Sequence, residues 1–162
     1  MINEELFNEI FEHNFKRIFL YCYNLCGDYE ESYDIAQEVF IRASQEVRLN
    51  EESFNVKSWL YKVARNVCFD YFRKIKSKLS FLNLYKVSPY YEIDFETNET
   101  YEEFHQLLQK LPVKYREIVY LRCVAEMSYE EISVFLNIAK GTVMSRLSRG
   151  KEILKGVMEN EL

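Results

Sequence analysis

Chain breakers are scarce in this 162-residue sequence, with four glycines and two prolines. So few cannot turn a chain every dozen residues or so, which excludes a β-sandwich or barrel. Only His13 and His105 supply imidazole, and no CxxC spacing accompanies the four cysteines, so no metal-ligand pattern is present. Neither a Gly-rich phosphate loop nor a Ser-His-Asp order can be assembled, which leaves no catalytic constellation, no cofactor and no small-molecule substrate to expect. The longest uncharged run, Ile18 to Gly27, is about half of what a bilayer span needs. The start, Met1-Ile2-Asn3-Glu4-Glu5, carries no basic leader. The expectation is a cytoplasmic protein that is neither secreted nor membrane-spanning.

What is present is 48% hydrophobic and 29% charged, the balance of a globular chain. Cys22, Cys26, Cys68 and Cys123 all fall among apolar residues in helical patterns, where a reduced thiol acts as a small hydrophobe. The alternative reading is a redox pair at Cys22 and Cys26, four residues apart. The net charge of -5 is unevenly spread: residues 81–105 hold six acids against one base. Two stretches are basic, Lys62 to Lys78 with six cations and Asp70 alone acidic, and Lys140 to Lys155 with five cations and Glu152 alone acidic. Screening confines charge effects to about 10 Å, so local basic runs decide the affinity for nucleic acid.

Apolar residues recur at three-four spacing from Leu6 to Cys26 (Phe7, Ile10/Phe11, Phe15, Ile18/Phe19, Cys22, Leu25/Cys26), which predicts one amphipathic helix. A second follows the Gly27-Asp28 break, with Ile35/Ala36, Val39/Phe40, Ala43 and Val47 inward. The third runs from about Val56, with Trp59/Leu60, Val63, Val67 and Tyr71 inward, and ends in the first basic run. Periodicity then lapses and resumes at Tyr101. Pro112 is expected at the first position of a further helix, where its missing N–H is no loss, followed by Tyr115, Ile118/Val119 and Arg122/Cys123 in register. Ser128-Tyr129-Glu130-Glu131 is a capping box that starts a short helix. A turn near Asn137-Ile138 leads to a last helix from about Ala139, and helix, tight turn, helix is the arrangement of a DNA reader. The predicted chain is all-α: residues 1–78 as one small helical domain, 79–100 as an acidic linker and 101–162 as a second.

Three helix faces carry candidate chemistry. On the last helix, Val143 and Leu147 inward place Gly141, Thr142, Ser145, Ser148 and Arg149 outward, flanked by Met144 and Arg146. Small hydroxyls beside arginine suit a major groove, although a solvated amphipathic helix would look alike. On the third helix the outward residues Ser58, Lys62, Arg65 and Phe69, bordered by Tyr61, Phe72 and Arg73, pair cations with aromatics. That suits unpaired bases stacked along a phosphate track, unless the aromatics meet another helix of the bundle. Asn66 and Asp70 lean inward and are expected to hydrogen-bond structurally. The second helix shows Asp34, Glu38, Ile41 and Gln45 outward, with Gln37 and Arg42 beside them; an exposed isoleucine among charges is either chance or the apolar centre of an interface with a polar rim.

The runs Asp34-Ile-Ala-Gln-Glu-Val-Phe-Ile-Arg-Ala43, Ser58-Trp-Leu-Tyr-Lys-Val-Ala-Arg-Asn66 with Asp70 and Arg73, Leu111-Pro112, Ser128-Tyr-Glu-Glu-Ile132 and Gly141-Thr-Val-Met-Ser-Arg-Leu147 resemble bacterial RNA polymerase sigma factors of the extracytoplasmic-function subfamily. The resemblance implies that the first domain, region 2, binds the β′ clamp helices of core polymerase and captures the melted strand at the minus-ten element. It implies that the second, region 4, reads the minus-thirty-five element as duplex and contacts the β flap. Asp34, Gln37, Glu38, Ile41 and Arg42 would then meet polymerase. The loop from Glu51 to Asn55, with Lys57, would hold an extruded base, and Tyr61, Lys62, Arg65, Phe69, Arg73 and Lys74 would follow the strand. Lys140, Thr142, Met144, Ser145, Arg146 and Arg149 would face duplex. Met144 stands where the family often has a basic residue, and Asn137 where a turn glycine is common; asparagine tolerates the left-handed conformation. An anti-sigma protein is a common partner in the family. Asp94, Glu96, Glu99, Glu102 and Glu103 would either mimic phosphates in the polymerase cleft or merely solubilise a tether.

Overall fold

A computed structural model describes residues 2–79 and 99–160, and the chain divides into two compact units, residues 1–92 and 93–162. Asp94 and Glu96 of the expected linker lie outside the described residues. All regular structure among the described residues is helical, as the scarcity of breakers predicts.

In the first unit, α1 (Glu4–Cys26), α2 (Tyr29–Gln45) and α3 (Val56–Leu79) pack against one another as a bundle. Asn3 starts α1 by accepting from the Glu5 amide at 2.8 Å, and Gly27 ends it in the left-handed conformation, φ 71°. Asp28 caps α2 by accepting from the Glu31 amide at 2.9 Å, so one short break closes one helix and opens the next. Helix α2 stops at Gln45, and a short 3-10 helix, Val47–Asn50, follows. Val47 was expected on the inner face of α2; it lies past the helix end and is 57% exposed. Glu46 secures this corner through Arg48, its carboxylate taking Nε and Nη2 at 2.8 Å each, which pulls its pKa down to about 2.

The inner face of α3 also differs from expectation. Leu60, Tyr61, Ala64 and Cys68 are buried, whereas Val63 and Val67 are only half-buried and Asn66 and Asp70 are exposed. The helix is turned toward its small residues because Ala64 and Cys68 let α1 and α2 approach closely, and close packing outweighs the larger but bulkier valine stripe.

In the second unit α5 (Val113–Cys123), α6 (Tyr129–Leu136) and α7 (Lys140–Asn160) pack together, preceded by α4 (Glu99–Gln109). Helix α4 begins two residues before the expected Tyr101. Pro112 is the N-cap of α5 instead of its first helical residue. Helix α5 is buried continuously from Arg116 to Leu121, while Arg122 and Cys123, expected inward, are exposed. Being central, it has no solvent stripe to reveal by periodicity. The buried Arg116 guanidinium donates to the carbonyls of Leu108 (3.1 Å), Leu111 (3.0 Å) and Gln109 (3.4 Å), satisfying acceptors that the end of α4 leaves open. The Ser128 capping box forms as expected, at 3.0 and 2.7 Å. Asn137 takes the left-handed turn at φ 54°. Glu126 has the same conformation at φ 56° without a side chain suited to it. Gly150 lets α7 approach α5: a Cβ there would stand 3.0 Å from Val119 Cγ2.

Candidate nucleic-acid and partner interfaces

Helix α2 presents a ridge with a depression on each side. Toward α1 lies an apolar groove of about 490 Å³, walled by Phe7, Phe11 and Phe15 of α1 with Tyr33, Gln37 and Ile41 of α2. Ile41 is 55% exposed, and Phe11 and Tyr33 are also open to solvent. The rings hold one another edge to face, Phe11 against Phe40 at 5.1 Å and Phe15 against Tyr33 at 5.6 Å, so the groove is stiff. Toward α3 lies a cleft of about 390 Å³ where Asp34, Glu38 and Arg42 face Val67, Asp70 and Lys74. Glu38 and Arg42 pair across one turn at 2.9 Å.

On α3 the Arg65 guanidinium sits 4.4 Å from the centroid of the Phe69 ring, and Phe72 meets Phe69 edge-on at 5.6 Å. Lys62 and Arg73 are exposed on the same side, with Arg73 ion-paired to Asp70. The result is a cation-aromatic surface whose rings stand at right angles, with a ring face and cations together, suited to a base beside its phosphate. At the head of α3 the loop is built around Phe54, which packs between the Arg48 guanidinium (5.1 Å) and the Trp59 ring (6.3 Å).

On α7, Val143, Leu147 and Gly150 are buried against the unit. Met144 and Ser145 are exposed, and Thr142 and Arg146 stand half-buried at the flanks. Arg149 is exposed and paired to Glu152 at 2.9 Å, and Lys140 is ion-paired to Glu130 of α6. That ion pair holds the Glu130 carboxyl below the usual range. The helix therefore shows hydroxyls and cations on one side, dry residues on the other.

The family description "Sigma-70 region 2" matches residues 10–78 and "Sigma-70, region 4" matches residues 101–154. The ECF RNA polymerase sigma factor SigW of Bacillus subtilis is 33% identical, across 94% of this chain and 89% of its own length. The chain belongs to the extracytoplasmic-function sigma factors. Such a sigma factor directs RNA polymerase to specific promoters to initiate transcription, and the family is not a catalytic one. SigM of the same bacterium is 28% identical across 93% of both chains. Among solved structures, the sigma factor RpoE in complex with the anti-sigma factor NepR from Bartonella quintana shares the fold. Its TM-score is 0.79 at 20% identity, over 94% of this chain and 96% of that one. CnrH in complex with the cytosolic domain of CnrY shares it with TM-score 0.68 at 17% identity, over 99% and 92%.

Of this sigma factor's expected site residues, the α2 set (Asp34, Gln37, Glu38, Ile41, Arg42) does share one surface. Tyr61 was expected on the strand-facing side of α3, but it is buried, edge-on to the Tyr21 ring at 5.1 Å, with burial pushing its pKa up to about 12. Turning α3 toward Ala64 and Cys68 carries Tyr61 inward with them. Asn55, expected to contact an extruded base, is exposed at the head of α3, where its Oδ1 accepts from the Ser58 amide at 2.9 Å. Lys57, Lys62, Arg65, Phe69 and Arg73 remain on accessible positions, while Lys74 lies away from them, beside α2. Asn66 and Asp70 are exposed, contrary to the inward placement expected for them. Cys26 hydrogen-bonds the Cys68 thiol, which together with burial raises its pKa well above the free value; the thiol paired with it is therefore Cys68, whereas the redox alternative paired it with Cys22. Cys123 is exposed, not a core hydrophobe. Phe7, Phe11 and Tyr33, which line the groove beside Ile41, were not among the expected site residues. Their signal was an aromatic excess at one end of α1, more rings than a three-helix bundle has room to bury.

Proposed function

We propose that the first unit docks on core RNA polymerase through α2 and then captures single-stranded promoter DNA on α3, while the second unit reads duplex through α7. The polymerase contact is made by Asp34, Gln37, Glu38, Ile41 and Arg42 on the β′ clamp helices. Lys57, Lys62, Arg65, Phe69 and Arg73 follow the melted minus-ten strand, with the rings as stacking surfaces. Lys140, Thr142, Met144, Ser145, Arg146 and Arg149 face the minus-thirty-five duplex, and the same unit meets the β flap. The domain limits follow: region 2 in residues 1–78, region 4 in residues 101–162, and between them the segment 79–100. The protein acts in the cytoplasm, where polymerase and promoters are, and needs no cofactor or small-molecule substrate. An anti-sigma protein is its expected regulator, as relatives of the same fold were solved in complex with such proteins.

The observation that carries this reading is the coexistence, in one chain, of a stiff apolar groove with a charged rim on α2 and a cation-aromatic platform on α3. A protein that bound duplex unaided would have use for neither. A gel shift of promoter DNA with and without core polymerase tests it. The expected result is a specific complex only when core is added; tight binding of duplex by the free protein would favour an autonomous helix-turn-helix regulator.

A further inference from the structure

Lys74 sits in the last basic stretch of α3 and was expected to track the promoter strand with Arg65 and Arg73. Its position on the helix argues otherwise. At 100° per residue it lies roughly 130° round the axis from the centre of the Lys62, Arg65, Phe69 and Arg73 face. It lines the cleft against α2 together with Asp34, Glu38 and Asp70.

We propose that Lys74 is a polymerase-docking residue, set with Asp34 and Glu38 in one charged cleft, and makes no contact with the single strand. This rests on the reading of α2 as the polymerase-facing helix. Three observations carry it. The cleft is continuous with the α2 ridge, because Asp34, Glu38 and Arg42 belong to both. Its charges are only partly satisfied within the protein: Glu38 is held by Arg42 at 2.9 Å and Asp70 by Arg73, whereas Asp34 and Lys74 make no ion pair among the described residues. Finally, the lysine ammonium is a compact charge on a long flexible stem, able to reach out of a cleft whose walls carry its aliphatic part. The cleft thus offers an uncommitted carboxylate and an uncommitted ammonium on facing helices, and it fits a helical partner surface that presents the opposite order, a cation over Asp34 and a carboxylate over Lys74. The apolar groove on the far side of α2 supplies the anchor and the cleft supplies register.

The test uses the full chain, fluorescently labelled and titrated with core polymerase, then assayed for promoter melting by permanganate at saturating core. Lys74→Glu is expected to bind core about tenfold more weakly, with the loss shrinking as salt rises, and Lys74→Arg to bind as the parent does. At saturation Lys74→Glu is expected to melt the promoter normally, while Arg65→Ala melts it poorly. Unchanged affinity for Lys74→Glu overturns the proposal, and so does any loss of its permanganate reactivity at saturating core, which would return Lys74 to the strand. Glu38→Lys serves as the gauge. If it weakens core binding and Lys74→Glu does not, only the extension onto α3 falls; if neither weakens it, the assignment of α2 falls as well.

Discussion

Helices α3 and α7 both carry arginines outward, but they hold them in different company. On α3 the Arg65 guanidinium lies over a ring, 4.4 Å from its centroid. On α7 the Arg149 guanidinium donates from one Nη to the Glu152 carboxylate at 2.9 Å. A stacked guanidinium offers a broad, flat, weakly hydrated face, which matches the exposed face of an unpaired base. A carboxylate-paired one is held by an edge hydrogen bond with its other N–H groups still available, which suits a guanine edge or a phosphate. The same residue type is thus prepared for two forms of DNA by its neighbour alone.

The sharpest way to separate the two units is acid. His105 is buried in the second unit beside Arg116, and burial first, then the guanidinium charge, lowers its pKa to about 4 from 6.5. The unfolded chain therefore binds a proton that the folded unit refuses. Stability is complete above pH 6.5, falls as the pH drops toward 4, and levels off below, a total of about 3 kcal/mol. Hydrogen exchange between pH 7 and 4.5 is expected to show the amides of α5 opening more readily while those of α1 and α2 change less. His105→Gln should remove most of that slope. Equal acid sensitivity of both units would break the contrast.

Next in size are substitutions on the two faces themselves. Phe69→Ala removes the platform under Arg65 and is expected to leave a promoter complex that forms but melts poorly, at a cost of about 2 kcal/mol per unstacked base. Normal permanganate reactivity would mean that the ring is packing, not recognition. Arg149→Ala is expected to cost roughly 1 to 3 kcal/mol and to relax preference at one upstream position. Transcription from promoter variants measures this; a loss equal on every sequence would show that Arg149 reads no base. Arg146, half-buried on the flank, gives the smaller effect: its loss should weaken binding evenly and lower the salt slope by about one phosphate's worth.

The smallest effect concerns the scaffold under α7. Glu126 adopts φ 56°, so Glu126→Gly is expected to stabilise the second unit by about 0.5 to 1 kcal/mol, read as a raised melting temperature, since relief of the left-handed backbone exceeds the entropy glycine adds to the unfolded chain. A lowered melting temperature would mean that the turn is not strained.

These contrasts also show what a sequence displays. Capping chemistry was legible because it is local: Ser128 and Glu131 are three residues apart and need no tertiary partner, and Asn137 needs only its own backbone. Most of the outward set of α7, Gly141, Ser145, Ser148 and Arg149, was legible too, because Val143 and Leu147 leave one way round, although Thr142 is half-buried and Met144, expected on the flank, is exposed. On α3 more than half the circumference is apolar or small, so periodicity alone favoured Val63 and Val67 over Ala64 and Cys68, and Tyr61 went with the wrong side. Arg116 was illegible for another reason. A charged residue in an apolar run reads as surface, and its carbonyl partners, Leu108 at the end of α4 and Leu111 in the turn that follows, become visible only once the chain has folded. The groove by Ile41 joins the edge of the α1 stripe, Phe7, Phe11 and Phe15, to outward residues of α2, and periodicity within one helix does not show that junction.

The ion pairs on the reading helix have a thermodynamic consequence of their own. Lys140 and Arg149 each come with a tethered anion, Glu130 and Glu152, which does the work that chloride or a free counterion would otherwise do. When Lys140 or Arg149 turns to a phosphate, its carboxylate stays close by and offsets part of the neutralisation, so fewer of the cations condensed on the DNA are released. The salt dependence of duplex binding should therefore be shallower than the five cations between Lys140 and Lys155 imply, by up to about two phosphates' worth of slope. Random DNA, which offers charge and little else, gains least from such a surface. On the proposed reading of α7, a net-acidic protein whose cations carry their own counterions is expected to bind bulk DNA weakly in the absence of polymerase.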